Sequence, residues 1–272
     1  MINLFGNGYV GKEFSKRYDC IIQDRNDLVP KTSDQILYMI STIDNYHVKV
    51  NPYLDIETNL TTLVRVLENL RLTNNKATFN FVSSWFVYGD TNLPAKETSY
   101  CNPKGFYSIT KRAAEQLLVS YCETYNLNYR ILRFANVIGG TDHKASKKKN
   151  ALTFLLNELK NHREINLYDS GDFYRDYIYV GDLCSAVNLV LSKGEPNETY
   201  NICNGIPIKF SDIIFYAANK LDRTHLIKNI EQAEFHKIVQ VKSMYMDNTK
   251  LNALGYRPEK TVFDVVDSII DV

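Results

Sequence analysis

The stretch Ile2-Asn3-Leu4-Phe5-Gly6-Asn7-Gly8-Tyr9-Val10-Gly11 decides the fold. A short apolar run leads into a GxGxxG pattern, and a mixed polar and apolar pattern then continues to Arg17. This order predicts a strand, a glycine turn and a helix. In such a turn the first glycine permits the tight bend, the second lets the backbone approach a pyrophosphate, and the third lets helix and strand pack closely. We therefore predict a dinucleotide-binding unit, with cofactor contacts at Gly6, Gly8, Tyr9, Val10 and Gly11.

The next strand predicts the adenosine end of the cofactor site. Ile21-Ile22 forms its apolar part, and Asp24 follows 18 residues after Gly6. That spacing is close to the roughly 20 residues typical of the carboxylate that binds the adenosine ribose. An arginine such as Arg25 can instead accept a 2′-phosphate. We predict NAD, with NADP as the alternative, and Asp24 and Arg25 as contacts; a plain surface carboxylate is the other interpretation of Asp24.

The following segments alternate between strand and helix patterns. Strands are predicted at 36–40, 78–83 and 129–134, and helices at 52–72 and 104–125. This alternation predicts a parallel sheet covered by helices on both faces. Only 24 residues separate Gly11 from Ile36, too few for a further crossover helix and strand. The predicted fold is therefore an α/β, Rossmann-type, doubly wound parallel sheet that is shortened after its second strand.

Beyond Gly139-Gly140 the predicted elements become shorter. Helices are predicted at 151–160, at 182–191 and after Ser211 and Thr261, and strands at 165–167, 176–179 and 199–202. No repeat or long linker separates these elements from the first half. We predict that residues 1–140 form mainly the dinucleotide-binding domain. Residues 141–272 should form mainly a smaller, interleaved substrate-binding lobe, with some segments returning to the first domain.

Composition and charge exclude several classes of function. The chain has 272 residues, 44% hydrophobic, and a net charge of +1, which gives no argument for nucleic acid. The basic run Lys147-Lys148-Lys149 predicts a solvated loop, with a flap near an anionic substrate as the alternative. The five cysteines and five histidines lack metal-ligand spacing, so we predict neither disulfides nor a metal site. Without a long apolar stretch or a basic leader, we expect a cytoplasmic protein that does not contact a membrane.

Later segments resemble a known family. Tyr107-Ser108-Ile109-Thr110-Lys111 is a YxxxK pattern, which on a helix places Tyr107 and Lys111 on one face. The other segments are FVSSWFVYG at 81–89, LRFANVIG at 132–139, RDYIYVGDL at 175–183, YNI at 200–202, and DNTKL at 247–251 ahead of LGY at 254–256. In this order they resemble the nucleotide-sugar epimerase/dehydratase branch of the extended short-chain dehydrogenase/reductases, along the whole chain.

The resemblance implies a nucleotide-diphosphate sugar as substrate and a role for each matching residue. Tyr107 is implied as the catalytic acid/base, Lys111 as the group that holds the ribose and lowers the tyrosine pKa, and Ser84 as the partner of the reacting hydroxyl. Asn59 is implied on the cofactor side, and Asn136 and Arg175 on the substrate side, with Arg175 at the diphosphate. A homodimer through two helices per subunit is common in this family, and the apolar face of 104–125 is compatible with one.

Plainer interpretations exist for some of these residues. Asn136 could be a turn residue after a strand, and Arg175 could form a surface ion pair with Asp176. We interpret Asp182 as a helix N-cap rather than as a functional acid.

Two departures from the family matter, one for the reaction and one for substrate binding. The 4,6-dehydratases of this branch carry an Asp-Glu pair where this chain has Trp85 and Phe86, so we exclude a dehydratase. We predict an epimerase that oxidises a sugar hydroxyl carbon transiently and returns the hydride. The alternatives are a 4-ketoreductase that consumes reduced cofactor and a non-catalytic sensor of dinucleotide or sugar nucleotide. His236-Lys237 stands where the family has an arginine, which leaves the second phosphate contact open.

Overall fold

The computed structural model describes residues 1–24, 26–73, 76–140, 146 and 150–271. Arg25 and the run Lys147-Lys148-Lys149 lie outside the described residues. The strands of the described part are β1 (Ile2–Phe5), β2 (Cys20–Gln23), β3 (Gln35–Tyr38), β4 (Thr78–Ser84), β5 (Tyr129–Phe134), β6 (Asn136–Ile138), β7 (Ile165–Tyr168), β8 (Tyr174–Arg175), β9 (Tyr177–Tyr179), β10 (Glu198–Ile202), β11 (Ile208–Lys209) and β12 (Ile227–Ile230).

Six of these strands form a parallel sheet in the order β2-β1-β3-β4-β5-β10. The strand order reverses between β1 and β3, because β2 lies on one side of β1 and β3 on the other. In open α/β sheets the crevice at such a reversal, outside the carboxyl ends of the strands, is where ligands bind. The described residues between β2 and β3 form neither helix nor strand. The prediction of a doubly wound sheet shortened after its second strand is therefore confirmed.

Helices cover both faces of this sheet. They are α1 (Tyr9–Ser15), α2 (Tyr53–Ile56), α3 (Thr62–Thr73), α4 (Phe106–Tyr125), α5 (Ala151–Lys160), α6 (Val180–Lys193), α7 (Phe210–Lys220), α8 (Glu234–Val239), α9 (Thr249–Ala253) and α10 (Val262–Ile270), with a π-helical turn at Glu57–Thr61 between α2 and α3. Phe14 of α1 and Leu183 of α6 are fully buried against one face, and Leu67 of α3 and Leu118 of α4 against the other. These apolar stripes fix the helices because burying such side chains is the main stabilising contribution in folding.

A smaller lobe packs around α5, α7 and α10. Leu156, Ile213 and Val266, one from each helix, are fully buried in its core. The strand pairs β6 with β9, β7 with β12 and β8 with β11 belong to small separate sheets. Helix α6 and strand β10 return to the central sheet, although they follow residue 140. The domain boundary at residue 140 stays a prediction.

The N-cap interpretation of Asp182 is wrong. Helix α6 begins at Val180, so Asp182 lies inside its first turn. Its buried carboxylate accepts hydrogen bonds from the backbone N–H groups of Glu259 (3.1 Å) and Lys260 (3.2 Å). Asp182 therefore anchors the loop that precedes α10.

Two features of the helices bear on assembly and on membranes. Helix α4 exposes Ile109 and Leu117, which are 50% and 42% accessible, and the predicted homodimer stays a prediction. No helix in the described ranges is long and apolar enough to cross a membrane.

Substitution of Gly11 by alanine should destabilise the fold. A Cβ at Gly11 would lie 2.1 Å from the Gly6 carbonyl oxygen, and this contact between two backbone segments has no flexible group to move away. We expect Gly11→Ala to lower the free energy of unfolding by about 1–3 kcal/mol, measured by urea denaturation. Gly8→Ala is the matched control, because no atom lies within 4 Å of its Cβ. It should change stability by less than about 0.5 kcal/mol; equal losses would show that crowding is not the cause.

Candidate active site

A cavity of about 1050 Å³ runs from the glycine turn to the small lobe. Its sheet side is lined where β1, β3, β4 and β5 end, by residues such as Gly6, Met39, Ser84 and Ala135. Its lobe side is lined by residues of β7, β8 and α8, among them Tyr168, Arg175 and His236. The cavity therefore occupies the crevice at the carboxyl ends of the strands. It connects the predicted cofactor contacts at the glycine turn with the predicted substrate contact at Arg175.

The three glycines of the turn differ in what surrounds them. Gly6 has φ +106°, and a Cβ there would lie 2.9 Å from the Met39 carbonyl carbon. Gly11 packs directly against the Gly6 carbonyl oxygen. Gly8 faces open space on the cavity wall. Val10 also lines the cavity, and the Tyr9 hydroxyl donates a hydrogen bond to the Gly139 carbonyl. The turn thus has the bend, the close packing and the free backbone surface that a bound pyrophosphate needs.

The predicted adenosine end of the cofactor site has fewer contacts in the structure than the glycine turn. Asp24 is exposed at the carboxyl end of β2, and its carboxylate accepts a hydrogen bond from the Asn26 N–H at 2.9 Å. It does not line the cavity. Arg25 is outside the described residues. The cofactor contacts assigned to Asp24 and Arg25 stay predictions.

Tyr107 and Ser84 meet at the bottom of the cavity. Tyr107 lies in the first turn of α4 and Ser84 at the end of β4, and both are buried. Burial raises the pKa of Tyr107 to about 12, and hydrogen bonds with the hydroxyls of Ser84 and Ser41 oppose this rise only in part. The edge of the Tyr107 ring packs against Phe86, with 5.8 Å between ring centroids. At neutral pH the phenol therefore holds its proton.

Lys111 lies one turn further along α4 and lines the same cavity. Its Nζ donates a 2.7 Å hydrogen bond to the Val82 carbonyl and lies 4.1 Å from the Phe81 ring centroid. Burial lowers the pKa of Lys111 to about 7, and the negative charge of Glu115 opposes this change. Ser84, Tyr107 and Lys111 thus line one cavity. That Lys111 lowers the pKa of Tyr107 stays a prediction, because the Lys111 hydrogen bond goes to the Val82 carbonyl of β4.

Asn59 has a positioning role in the structure. It lies in the π-helical turn, 2% accessible, and does not line the cavity. Its Oδ1 accepts from the Ser41 hydroxyl and the Thr42 N–H, both at 3.0 Å. Its Nδ2 donates to the hydroxyls of Thr42 (2.8 Å) and Thr110 (2.9 Å). Asn59 therefore ties the loop after β3 to α4, and its direct contact with cofactor stays a prediction.

Sequence reasoning missed Ser41, whose hydroxyl reaches Tyr107. Ser41-Thr42 comes directly after β3, and both residues line the cavity. A signal for them existed, because polar residues that follow a buried parallel strand collect at the ligand-binding edge of the sheet.

Arg175 and Asn136 lie on the substrate side. Arg175 donates to the carbonyls of Tyr174 (2.9 Å), Lys242 (2.6 Å) and Val241 (2.9 Å). Burial lowers its pKa to about 10, which leaves the guanidinium charged at neutral pH. Asn136 begins β6, lines the cavity, and donates to the Asp176 carbonyl at 3.0 Å. Both residues line the cavity, and the substrate contacts that the resemblance implies for them stay predictions.

The alternative ion pair between Arg175 and Asp176 is not formed. The Asp176 carboxylate accepts instead from the N–H groups of Asn204 (3.2 Å) and Gly205 (3.0 Å). Burial raises the pKa of Asp176 to about 7. Arg175 and Asp176 consequently have separate roles, one facing the cavity and one holding the turn after β10.

Aromatic rings occupy the position of the dehydratase acid pair. Trp85 and Phe86 stack with centroids 3.8 Å apart, and both line the cavity. The Arg175 guanidinium lies 5.4 Å from the Trp85 ring and 4.6 Å from the Phe173 ring. Positions 85 and 86 thus offer flat apolar surface to the cavity instead of two carboxylates.

The cysteines and the metal-ligating residue types relate to the predictions of no disulfide and no metal site. All five cysteines have free thiols, and burial raises the pKa of the Cys20 thiol to about 11. In the part of the chain that the structure describes, no group of three or more His, Cys, Asp or Glu side chains is placed to hold a metal ion.

The sequence of the chain was compared with known families. A model of the NAD-dependent epimerase/dehydratase family matches residues 8–203. The chain belongs to this family. The resemblance drawn from the motifs is confirmed: the YxxxK segment falls within the matched residues, and the match begins inside the glycine turn, at Gly8.

Individual relatives include several nucleotide-sugar enzymes. A GDP-6-deoxy-D-mannose reductase of Pseudomonas aeruginosa is 26% identical, over 93% of this chain and 85% of the relative. A Methanocaldococcus jannaschii protein provisionally named as a UDP-glucose 4-epimerase is 23% identical, over 98% of this chain and 94% of the relative. The prediction of an enzyme is confirmed at the level of this family of epimerases, dehydratases and reductases.

Solved structures confirm the fold. The Thermotoga maritima UDP-glucose 4-epimerase with UDP-glucose has a TM-score of 0.84 and 20% identity, covering 99% of this chain and 97% of that one. The Pseudomonas aeruginosa protein RMD with NADPH has a TM-score of 0.85 and 21% identity, covering 99% and 98%. At these identities the likeness establishes the architecture, which agrees with the six-stranded sheet.

Replacing Lys111 by methionine should stabilise the protein. Because the buried lysine has a pKa of about 7, Lys111 binds more protons in the unfolded chain than in the folded one from there up to about pH 10.4. The contribution of Lys111 to wild-type stability should therefore rise with pH across this window. At pH 7 we expect Lys111→Met to raise the free energy of unfolding by about 1 kcal/mol or more, and we expect the advantage to shrink toward pH 10.

Urea unfolding at several pH values measures this effect. Lys193→Met is the matched control, because Lys193 is exposed at the end of α6, and it should not change the pH dependence. A Lys111→Met protein that is less stable than wild type at pH 7 would mean that the hydrogen bond to Val82 outweighs the burial of the charge.

Proposed function

We propose that this protein is an NAD-dependent nucleotide-sugar epimerase that inverts a hydroxyl-bearing carbon of the sugar, C4 in the first instance. The observation that carries the proposal is the joint placement of Ser84, Tyr107 and Lys111 on one cavity that begins at the Gly6–Gly11 turn. Family membership supports the same chemistry. Epimerisation needs one acid/base group and a bound redox cofactor, and no group that expels water.

The residues fit a nicotinamide dinucleotide. Gly8 leaves the backbone of the turn open toward the cavity, which suits a pyrophosphate, and Lys111 and Tyr107 line the same cavity. NAD and NADPH are present in solved structures that share this fold, a Thermus thermophilus UDP-glucose 4-epimerase and RMD, respectively. When bound, the cofactor supplies a ring that accepts a hydride and gives it back. We favour NAD, because Asp24 would repel a 2′-phosphate.

The protein's own residues handle the proton. The Ser84 hydroxyl orients the reacting sugar hydroxyl toward Tyr107, whose oxygen takes the proton as the carbon is oxidised. A nearby positive charge favours the phenolate, and Lys111 at the ribose would provide one. Asn136 and Arg175 hold the nucleotide diphosphate, so that the sugar alone is free to turn and present its other face. Return of the proton from Tyr107 then completes the inversion.

The stacked rings of Trp85 and Phe86 support an epimerase over a dehydratase. Loss of water from a sugar requires an acid and a base beside the reacting carbons, and these two positions carry neither. The rings instead exclude water around the reacting hydroxyl.

A reductase of nucleotide 4-keto sugars is the second candidate. The observation in its favour is the 26% identity to a GDP-6-deoxy-D-mannose reductase over most of both chains. The same Ser84, Tyr107 and Lys111 would then donate a proton to a ketone rather than remove one from a hydroxyl.

One assay distinguishes these reactions. The purified protein is offered UDP-, dTDP-, GDP- and CDP-hexoses with NAD, while NMR follows the sugar stereocentres and absorbance follows reduced nicotinamide. We expect inversion with no net change in the nicotinamide band. Stoichiometric oxidation of added NADH or NADPH by a 4-keto sugar nucleotide, without inversion of any hexose, would assign the reductase. Binding without either reaction would assign a sensor.

Tyr107→Phe should abolish turnover while cofactor affinity changes little, because the substitution removes only the transferable proton. We expect less than a tenth of the wild-type rate, which corresponds to a loss of at least about 1.4 kcal/mol of transition-state stabilisation. Calorimetric titration with NAD provides the affinity. A variant that keeps more than a tenth of the rate would remove Tyr107 from the role of acid/base.

A further inference from the structure

His236 lies on the lobe side of the cavity and is held on two sides. Its Nδ1 is 2.7 Å from the Tyr46 hydroxyl, which belongs to the loop after β3. Its ring packs on Tyr168 of β7, with 4.8 Å between centroids. The imidazole of α8 is therefore fixed by two separate parts of the molecule rather than left to rotate in solvent.

The charges around His236 are predominantly unfavourable for a proton. Arg175 of β8 places a positive charge near the ring, and burial and that charge together lower the pKa of His236. Asp169, in the turn after β7, acts in the opposite direction. On α8 itself Lys237 and Glu234 form an ion pair at 2.7 Å. Lys237 and Lys242 also line the cavity.

Arg175 provides only part of an anion site. Hydrogen bonds to three backbone carbonyls use three of its five N–H groups. Two N–H groups therefore remain for a ligand. A diphosphate diester carries two negative charges, so a second cation on the same wall would complete its neutralisation.

We propose that His236 is the second diphosphate contact of the substrate site, and that it takes up a proton when a nucleotide sugar binds between it and Arg175. This inference rests on the proposed function, since it assigns the partner of the sugar nucleotide's diphosphate. In the free protein, a protonated His236 would face Arg175 without an anion between them. A bound diphosphate reverses this repulsion, and Tyr46 can remain as hydrogen-bond acceptor for the protonated ring.

The sign of the pH dependence follows from this linkage. The His236 pKa in the free protein lies below its ordinary value, and bound diphosphate raises it. Between these two values binding consumes protons, so affinity falls as pH rises. The change is at most about tenfold per pH unit. The diphosphate of a nucleotide sugar has no ionisation of its own near neutral pH, so the proton uptake is that of the protein.

Calorimetry of substrate binding tests the proposal. UDP-glucose, dTDP-glucose, GDP-mannose and CDP-glucose are titrated into the full-length protein at about pH 6.5 in PIPES and in imidazole, whose ionisation enthalpies differ. The difference in apparent binding enthalpy between the two buffers gives the number of protons taken up. We expect a substantial fraction of one proton for wild type, and affinity that falls about three- to tenfold from pH 5.5 to pH 7.5.

Three variants isolate His236. His236→Asn should bind more weakly at pH 5.5 and lose most of the proton uptake and of the pH dependence; the part that remains would belong to Lys111, which lines the same cavity with a pKa of about 7. His236→Arg, which restores a permanent charge, should bind tightly at all these pH values with no more uptake than His236→Asn. His225→Asn is the matched control, because His225 is exposed and does not line the cavity; it should behave like wild type.

The outcomes separate this inference from the proposed function. Wild-type proton uptake that persists in His236→Asn and His236→Arg would overturn the assignment of His236 and leave the nucleotide-sugar site intact. Failure of wild type to bind any of the four nucleotide sugars at any pH would overturn the proposed function itself, and with it the role of His236.

Discussion

The buried ion pair between Glu115 and Arg133 sets the position of helix α4, which carries Tyr107 and Lys111. Arg133 Nε and Nη2 donate to the two carboxylate oxygens of Glu115 at 2.9 and 2.8 Å. Arg133 Nη1 also donates to the Glu97 carbonyl, and Glu97 Oε1 accepts from the Asn201 N–H of β10. Burial raises the pKa of Glu115, but the hydrogen bonds and charge of Arg133 outweigh it, so the carboxylate is ionised. Such a bidentate pair fixes the rotation of α4 about its axis, because in any other orientation Arg133 would lose its buried carboxylate partner and Glu115 would keep only Arg112 of its own helix, at 2.8 Å.

That rotation determines which side chains of α4 reach the cavity. Glu115 is one turn beyond Lys111, and Lys111 is one turn beyond Tyr107, so the three share one face of the helix. In the free protein burial disfavours charge where this face meets the cavity: it keeps Tyr107 as a neutral phenol and lowers the pKa of Lys111 to about 7, so that the amine is about half protonated at neutral pH. The low-dielectric environment that disfavours charge here also strengthens every electrostatic interaction with a bound ligand. The site is thus arranged to respond to charge that the ligand brings.

The sequence could predict those features that depend on neighbouring residues. The glycine turn, the shortened sheet and the shared face of Tyr107 and Lys111 each follow from local spacing. The sequence could not predict hydrogen bonds between distant segments. The sequence around Asp182 predicts a cap of its own helix, because local spacing carries no information about its hydrogen-bond partners, which lie 77 and 78 residues away. Asn59 matched a cofactor contact by motif, yet its amide is used by Thr42 and Thr110.

The loop after β3 shows why such distant bonds matter for function. Its Ser41 hydroxyl reaches Tyr107, and its Tyr46 hydroxyl reaches His236. Between them Asn45 is 1% accessible; its Oδ1 accepts from the N–H (3.2 Å) and hydroxyl (3.1 Å) of Ser108, and its Nδ2 donates to the Val239 carbonyl at 3.3 Å. Gly105 permits this approach, because a Cβ there would lie 2.6 Å from Asn45 Oδ1.

This loop therefore contacts helix α4 and the lobe helix α8 within six residues. Any movement of α8 that accompanies binding at the lobe must either break the bonds of Asn45 and Tyr46 or shift the loop that carries Ser41. Because Asn45 is buried, breaking its bond to the Val239 carbonyl would leave polar groups without partners in the interior. A shift of the loop would keep these bonds and would instead move Ser41, which lines the cavity together with Tyr107.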